Sequence, residues 1–121
     1  ILTKDIATGT LANLTNNSGN DYTPEWSPDS SKIVFVGMSS STNPVIYVVN
    51  ANGTNITRLT NSLTEMDYFP TWSPDGSKIM WVKADEYGLG AIWMMNADGS
   101  NKAAFSNQIW YMQHPVWSWG R

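Results

Sequence analysis

The phrase "PEWSPDSSKIVFV" fills residues 24–36, returns at 70–82 as "PTWSPDGSKIMWV", and starts a third time at 115 as "PVWSWGR". Pro24 and Pro70 stand 46 residues apart, Pro70 and Pro115 stand 45 apart, and Trp26, Trp72 and Trp117 keep the same steps. A second phrase keeps time with the first. "DIATGTLANLT" (5–15), "NANGTNITRLT" (50–60) and "NADGSNKAAFS" (96–106) align over their whole length. A glycine stands in each turn (Gly9, Gly53, Gly99), Leu14, Leu59 and Phe105 coincide, and so do Thr15, Thr60 and Ser106. Two independent phrases on one period define a repeat protein before any local structure is assigned.

One period reads as four short strands. "TPEWS" is brief and bounded by proline. "SPDS" and "SPDG" are turns, in which proline presets φ, aspartate binds its own backbone and glycine tolerates a left-handed conformation. "KIVFVG" and "KIMWVK", then "VIYVVN" and "AIWMMN", are β-branched and aromatic, hence strands. "ANG" and "ADG" are hairpin turns, and "ITRLT" is the fourth strand. In the second strand Ile33 and Phe35 point one way and Val34 and Val36 the other, so the sheet must be covered on both faces. No 3.6-residue period appears, which excludes a helical solenoid. Four antiparallel strands per ~45 residues, sandwiched between neighbours, is the blade of a β-propeller, an all-β fold. A blade cannot bury its faces alone, so the phrase has to recur. Trp26 and Trp72 fall on the innermost strands, wedged between blades.

These residues resemble the TolB-type, WD-like propeller repeat over nearly the whole chain. Two positions depart from the pattern: Ser30 replaces the turn glycine, and Trp119 replaces the turn proline in "WSWGR". The resemblance implies a ring, commonly of about six blades, around a central channel. Its roles are binding and scaffolding. Similar propellers occur in periplasmic Tol proteins, in bacterial and archaeal surface proteins, and as the gating domain of prolyl oligopeptidase-like enzymes.

Strand counting divides the chain into the last two strands of a blade (1–15), two full blades (22–60 and 68–106) and the innermost strand of another (113–118). That is about two and two-thirds blades, against the ~4–8 of a closed ring. The expectation is an incomplete ring with an apolar blade face at each end. Further blades of a longer parent chain, or copies of this one in a homo-oligomer, would complete it.

Composition narrows the function classes. The formal net charge is −3, which disfavours a nucleic-acid partner held by phosphate neutralisation. Absence of cysteine removes disulfides, thiolate zinc sites and cysteine nucleophiles. No apolar run approaches the ~20 residues of a membrane span. Seven tryptophans beside many Asn, Ser and Thr lean toward an extracytoplasmic domain, in the periplasm, at the cell surface or secreted. Asn13, Asn16, Asn52 and Asn55 are glycosylation sequons, relevant only in a glycosylating host.

Catalytic signals are weak. His114 is the lone histidine, directly before Pro115, and no Gly-x-Ser-x-Gly elbow presents a serine. The chain is therefore expected not to be an enzyme and to need no cofactor. Asp21 and Asp67, each three residues before the repeat proline, raise one metal reading: carboxylates near the propeller axis holding Ca²⁺. Met112 breaks that ring in the third copy, and loop capping is the plainer role for both aspartates.

The loops that change between copies lie at 16–22, 37–44, 61–68, 83–91 and 107–113, on the rim opposite the constant turns. Variable loops on one face of a repeat scaffold often carry binding. The candidate binding residues there are Asp21, Tyr22, Glu65, Asp67, Tyr68, Tyr87, Trp110 and Tyr111. An acidic, aromatic rim suits a protein or polysaccharide partner. The leading expectation is a non-catalytic binding scaffold. The propeller portion of a prolyl oligopeptidase-type hydrolase, or a structural tile in a surface layer or filament, is the alternative.

Overall fold

The computed structural model describes residues 1–38, 43–107, 109–110 and 115–118, and its regular structure is all strand. Strands β1 (Leu2–Lys4) and β2 (Leu11–Asn13) form a two-stranded antiparallel ladder. The first full blade runs β3 (Asn20–Trp26), β4 (Lys32–Met38), β5 (Val45–Asn50) and β6 (Thr57–Arg58), adjacent in that order. The second runs β7 (Met66–Trp72), β8 (Lys78–Ala84), β9 (Leu89–Asn96) and β10 (Ala103–Ala104). A further strand, β11 (Ile109–Trp110), pairs with Leu89 and Gly90 of β9. Part of 107–113, read from sequence as a loop, thus extends the outer edge of the second blade. The sheets are open and the ring is not closed within the chain.

The two faces of β4 enter two different cores. Ile33 and Phe35 join Leu14 and Val49 against the β1–β2 hairpin. Val34 and Val36 join Ile46, Val48, Leu59, Trp72, Ile79, Trp81 and Met95 between the full blades. All four side chains of this run are buried, each worth about 1.5–3 kcal/mol relative to exposure.

Blades are also stitched along their inner strands. The Glu25 carboxylate accepts from the Trp72 backbone N–H at 2.9 Å and from the Thr71 hydroxyl at 3.1 Å. The Trp72 indole N–H donates to the Glu25 carbonyl at 3.3 Å, and the Trp117 indole N–H donates to the Thr71 carbonyl at 3.4 Å. At these two steps one tryptophan clamps an inner strand to the one before. Trp72, with a blade before it, is 5% exposed; Trp26, whose preceding blade has only β1 and β2 here, is 48% exposed.

Both inner strands carry a one-residue bulge, between Tyr22 and Glu25 and between Tyr68 and Thr71. The bulged residues Thr23 (φ 48°) and Phe69 (φ 54°) are left-handed, a conformation that β-branched and bulky residues rarely adopt. The Ser-Pro-Asp turns are near copies. Ser27 and Ser73 donate to Asp29 and Asp75 at 2.6 Å, and the Lys32 and Lys78 N–H groups donate back to the serine hydroxyls at 2.9 Å. Ser30 takes the left-handed conformation of Gly76, φ 59° against 72°. In the other turn family Gly9 stands one place later than Gly53 and Gly99: Asp5 N–H reaches the Thr10 carbonyl, whereas Asn50 and Asn96 reach Thr54 and Ser100.

Three outcomes are expected. Trp72→Ala lowers the stability of the chain by about 3–5 kcal/mol in urea titrations, and Trp26→Ala by less than half of that. Ser30→Gly raises it by about 0.5–1 kcal/mol, the left-handed penalty less the entropy that glycine adds to the unfolded chain. The serine hydroxyls hold the Asp29 and Asp75 carboxyls down to about 2, against an ordinary 3.8. A lowered folded value means that their contribution is complete above pH 3.8 and is lost as pH falls through about 2. Asp29→Asn with Asp75→Asn flattens stability against pH in that window, as measured by acid-titration circular dichroism.

Candidate binding face and interblade grooves

Strand register decides which loops share a rim. Asn20 pairs with Met38 and Gly37 with Val45, while Ala84 pairs with both Met66 and Gly90. The segments around 16–20, 43–44, 61–65 and 85–89 therefore gather at one end of the strands, with β11 beside them. The Ser-Pro-Asp and Asn-Ala-Asn/Asp-Gly turns gather at the other. Asp85 closes the 85–89 turn by accepting the Tyr87 and Leu89 N–H groups at 2.9 Å each. This projects Tyr87 from the tip, 86% exposed, with Leu63 (91%) and Tyr22 (45%) on the same rim.

The remaining candidates from sequence are placed unevenly. Glu65 is spent on Lys83, at 2.5 Å. Tyr68 is half-buried, its hydroxyl on the Met66 sulfur at 3.1 Å, and burial pushes its phenol up. Trp110 lies on β11, and Tyr111, Met112 and His114 fall outside the described residues, as does Trp119.

Asp67 is not a rim residue. It is fully buried and accepts from the Trp81 indole N–H at 2.7 Å and the Ser62 hydroxyl at 2.9 Å, with the Thr60 hydroxyl as a further donor. Thr60 in turn accepts the Ile46 N–H at 2.9 Å. Asp67 thus ties the end of the first blade to the inner strands of the second, and the Asp67 N–H adds a bond to the Pro44 carbonyl at 2.9 Å. Burial pushes its carboxyl up; the hydroxyl and indole donors and the nearby Lys83 charge pull the other way. With a raised folded value, its contribution to stability is largest at low pH and falls as pH rises through that value, opposite in sign to the turn aspartates.

Asp21 and Asp67, read from sequence as carboxylates of one calcium-binding ring, are placed apart. Their carboxylates sit in two different grooves, one on the N-terminal side of each full blade. Asp21 lines the first, with Asn17, Phe35, Gly37 and Tyr47; Asp67 lines the second, with Ser62, Trp81, Lys83 and Trp93. Among the described residues no three His, Cys, Asp or Glu side chains gather as a metal site. Loop capping through backbone N–H groups is also replaced for Asp67, whose described donors are side chains.

The fold recurs in proteins of known structure. A family profile described as the TolB beta propeller domain matches residues 1–120. The chain belongs to the TolB beta propeller family. A protein assigned as TolB from Agrobacterium tumefaciens is similar at 28% identity and TM-score 0.79, over 90% of this chain and 41% of that one. TolB from Acinetobacter baumannii is similar at 22% identity and TM-score 0.70, over 88% and 26%. An oligogalacturonate lyase in complex with manganese has a similar fold at 19% identity and TM-score 0.73, over 92% and 31%. The chain spans less than half the length of each of these structures.

Within this TolB-type segment, sequence reasoning missed Glu25, Lys83 and Trp93. Lys83 Nζ stands 4.7 Å from the Trp93 ring centroid while it pairs with Glu65, so the second groove holds a cation of the chain's own. The signal for it lay in the repeat itself: Lys83 and Glu65 occupy the places of Gly37 and Gly19. Asp67→Ala is expected to cost about 3 kcal/mol, because it strands the buried indole and hydroxyl donors. Asp21→Ala is expected to cost under about 1 kcal/mol, since its partners, the Ile1 amine and the Asn17 amide, stand at 3.4 Å. Urea titration of the two variants checks the difference.

Proposed function

We propose that this segment is a non-catalytic binding scaffold that engages a protein partner through the variable rim, outside the cytoplasm. The observation that carries the reading is the asymmetry of the two rims. Tyr22, Leu63 and Tyr87 stand exposed on one, whereas on the other the turns 27–31, 50–54, 73–77 and 96–100 show no exposed large apolar side chain, and Ile6 in the 5–10 turn is the exception. Exposed aromatic anchors on a rigid frame are the usual seeds of protein interfaces. The turns are already saturated by their own hydrogen bonds, so they hold shape rather than ligands.

Membership of the TolB family supports both the scaffold role and the extracytoplasmic location. The oligogalacturonate lyase shares the fold alone, and the enzyme reported among the similar structures is a lyase rather than a prolyl oligopeptidase-type hydrolase. The test uses a photo-crosslinking amino acid at Tyr87 or Leu63 on one rim, and at Asn52 or Asp98 on the other, in cells of the source organism. Discrete protein adducts are expected from the first pair only. Adducts from the turn rim alone, or turnover of oligogalacturonate with added manganese, would overturn the reading.

A further inference from the structure

The sequence holds one Asn-Gly pair, Asn52–Gly53, and the fold sets it in the exposed turn that joins β5 to β6. An asparagine followed by glycine is chemically labile, because no Cβ shields the next backbone nitrogen. The Gly53 nitrogen attacks the Asn52 Cγ, and the Cγ–Nδ2 bond breaks. Ammonia leaves with the Gly53 amide proton, and a five-membered imide remains. Water then adds to one of the two imide carbonyls. Opening at Cγ gives aspartate. Opening at the backbone carbonyl gives isoaspartate, with an extra methylene in the main chain. No electrons are exchanged, and water is the co-reactant.

The closed turn blocks the first step. Gly53 N–H donates to the Asn50 carbonyl at 2.8 Å, and Asn50 N–H donates to the Thr54 carbonyl at 3.0 Å. An imide nitrogen carries no hydrogen, so the Gly53–Asn50 bond has to break before the ring can close. The side chain is held as well. Asn52 Oδ1 accepts from the Thr54 N–H at 3.1 Å and from the Thr54 hydroxyl at 2.6 Å. The Thr54 oxygen in turn accepts from the Asn50 amide at 3.0 Å. The reaction therefore starts from the opened turn, and its rate is scaled down by the opening equilibrium.

The next blade shows how the product sits. Its turn carries Asp98–Gly99 in the same place, and the two turns match bond for bond. Gly99 N–H donates to the Asn96 carbonyl and Asn96 N–H to the Ser100 carbonyl, each at 2.9 Å. Asp98 Oδ1 accepts from the Ser100 N–H at 2.9 Å and from its hydroxyl at 2.6 Å. Gly53 and Gly99 are left-handed alike, φ 82° and 87°. The Ser100 hydroxyl and N–H hold the Asp98 carboxyl below its ordinary value. A carboxylate at position 52 meets the same two donors from Thr54, in bonds that charge strengthens. Lys102, beside Asp98, has Ile56 in its place, so the new charge stands without a lysine. Isoaspartate has no such counterpart, because its extra backbone atom shifts Gly53 and Thr54 out of register with Asn50.

We infer that Asn52 is a latent aspartate: a modification site that the closed turn guards, and whose aspartyl product the turn retains. The change adds one negative charge to the chain's −3, on the rim of constant turns, without altering the blade. It is independent of binding at the opposite rim.

The test incubates the 121-residue chain in mildly alkaline buffer beside a synthetic peptide of residues 48–57, too short to hold the hairpin by itself. Proteolysis and mass spectrometry then follow the amide at position 52. The free peptide is expected to deamidate about tenfold faster than the chain, or more. Thr54→Val removes the hydroxyl donor and speeds the reaction in the folded chain severalfold. Thr54→Ser, which restores the hydroxyl in the form that Ser100 has, returns the slow rate. Near-UV circular dichroism verifies that both variants fold. Asn52→Asp keeps the urea midpoint of the parent, whereas the isoaspartyl chain, separated by ion exchange, unfolds at lower urea. Equal rates in chain and free peptide, or a Thr54→Val chain no faster than its parent, would overturn the guard. An Asn52→Asp midpoint as low as that of the isoaspartyl chain would overturn the retained product.

Discussion

The second strand of each blade is apolar on both faces, and one sheet cannot hide both from water. Ile33 and Phe35 are buried against the β1–β2 hairpin, while Val34 and Val36 are buried against the following blade. Stability therefore belongs to the junctions between blades rather than to any blade by itself. The two later junctions are each closed on the inner side by one tryptophan, Trp72 and Trp117, whose indole reaches back to a carbonyl of the previous inner strand. Glu25 adds a carboxylate that reaches forward to Thr71 and Trp72. Trp26 has the same sequence context as Trp72 and a very different exposure, because the difference lies in the neighbour and not in the residue.

The repeat divides residues by duty. Positions that make the turns or fill the junctions barely change, as with the two Ser-Pro-Asp turns and their matched hydrogen bonds. Positions in the grooves change in concert. Trp81 with Lys83 and Glu65 in one groove becomes Phe35 with Gly37 and Gly19 in the other. An aspartate is kept in both, but its electrostatic setting is not. Asp67 has close donors and a nearby lysine, whereas the Asp21 carboxylate is reached only at 3.4 Å, by the Ile1 amine and the Asn17 amide. The frame is thus repeated while the charge and packing of the grooves vary, without altering the fold.

Much of the frame was legible in the residues. Period, turn residues and β-branched runs specify strands and their order, since proline, glycine and aspartate act locally through φ and side-chain-to-backbone bonds. The bulges at Thr23 and Phe69 were not legible, because neither residue favours the left-handed region and only the surrounding sheet holds it there. The short strand at Ile109–Trp110 was hidden as well, since its pairing depends on the free edge of β9. Tyr22 and Tyr87, read as binding residues from their place in variable loops, are exposed on the rim. Asp67 was misplaced because a spacing from proline does not say whether a carboxylate faces solvent or an indole.

By itself the sequence determined the architecture: four-stranded blades, their turns, and the need of each blade for a neighbour, all of which follow from a two-residue side-chain alternation and a period of about 45. Only the tertiary structure decided which side chains meet across the junctions. Asp21 and Asp67 occupy the same place in the repeat, yet one ends in a cavity and the other in a web of donors. Their partners come from other strands and the preceding blade, and such contacts are set by register and packing, which no single phrase of the repeat encodes.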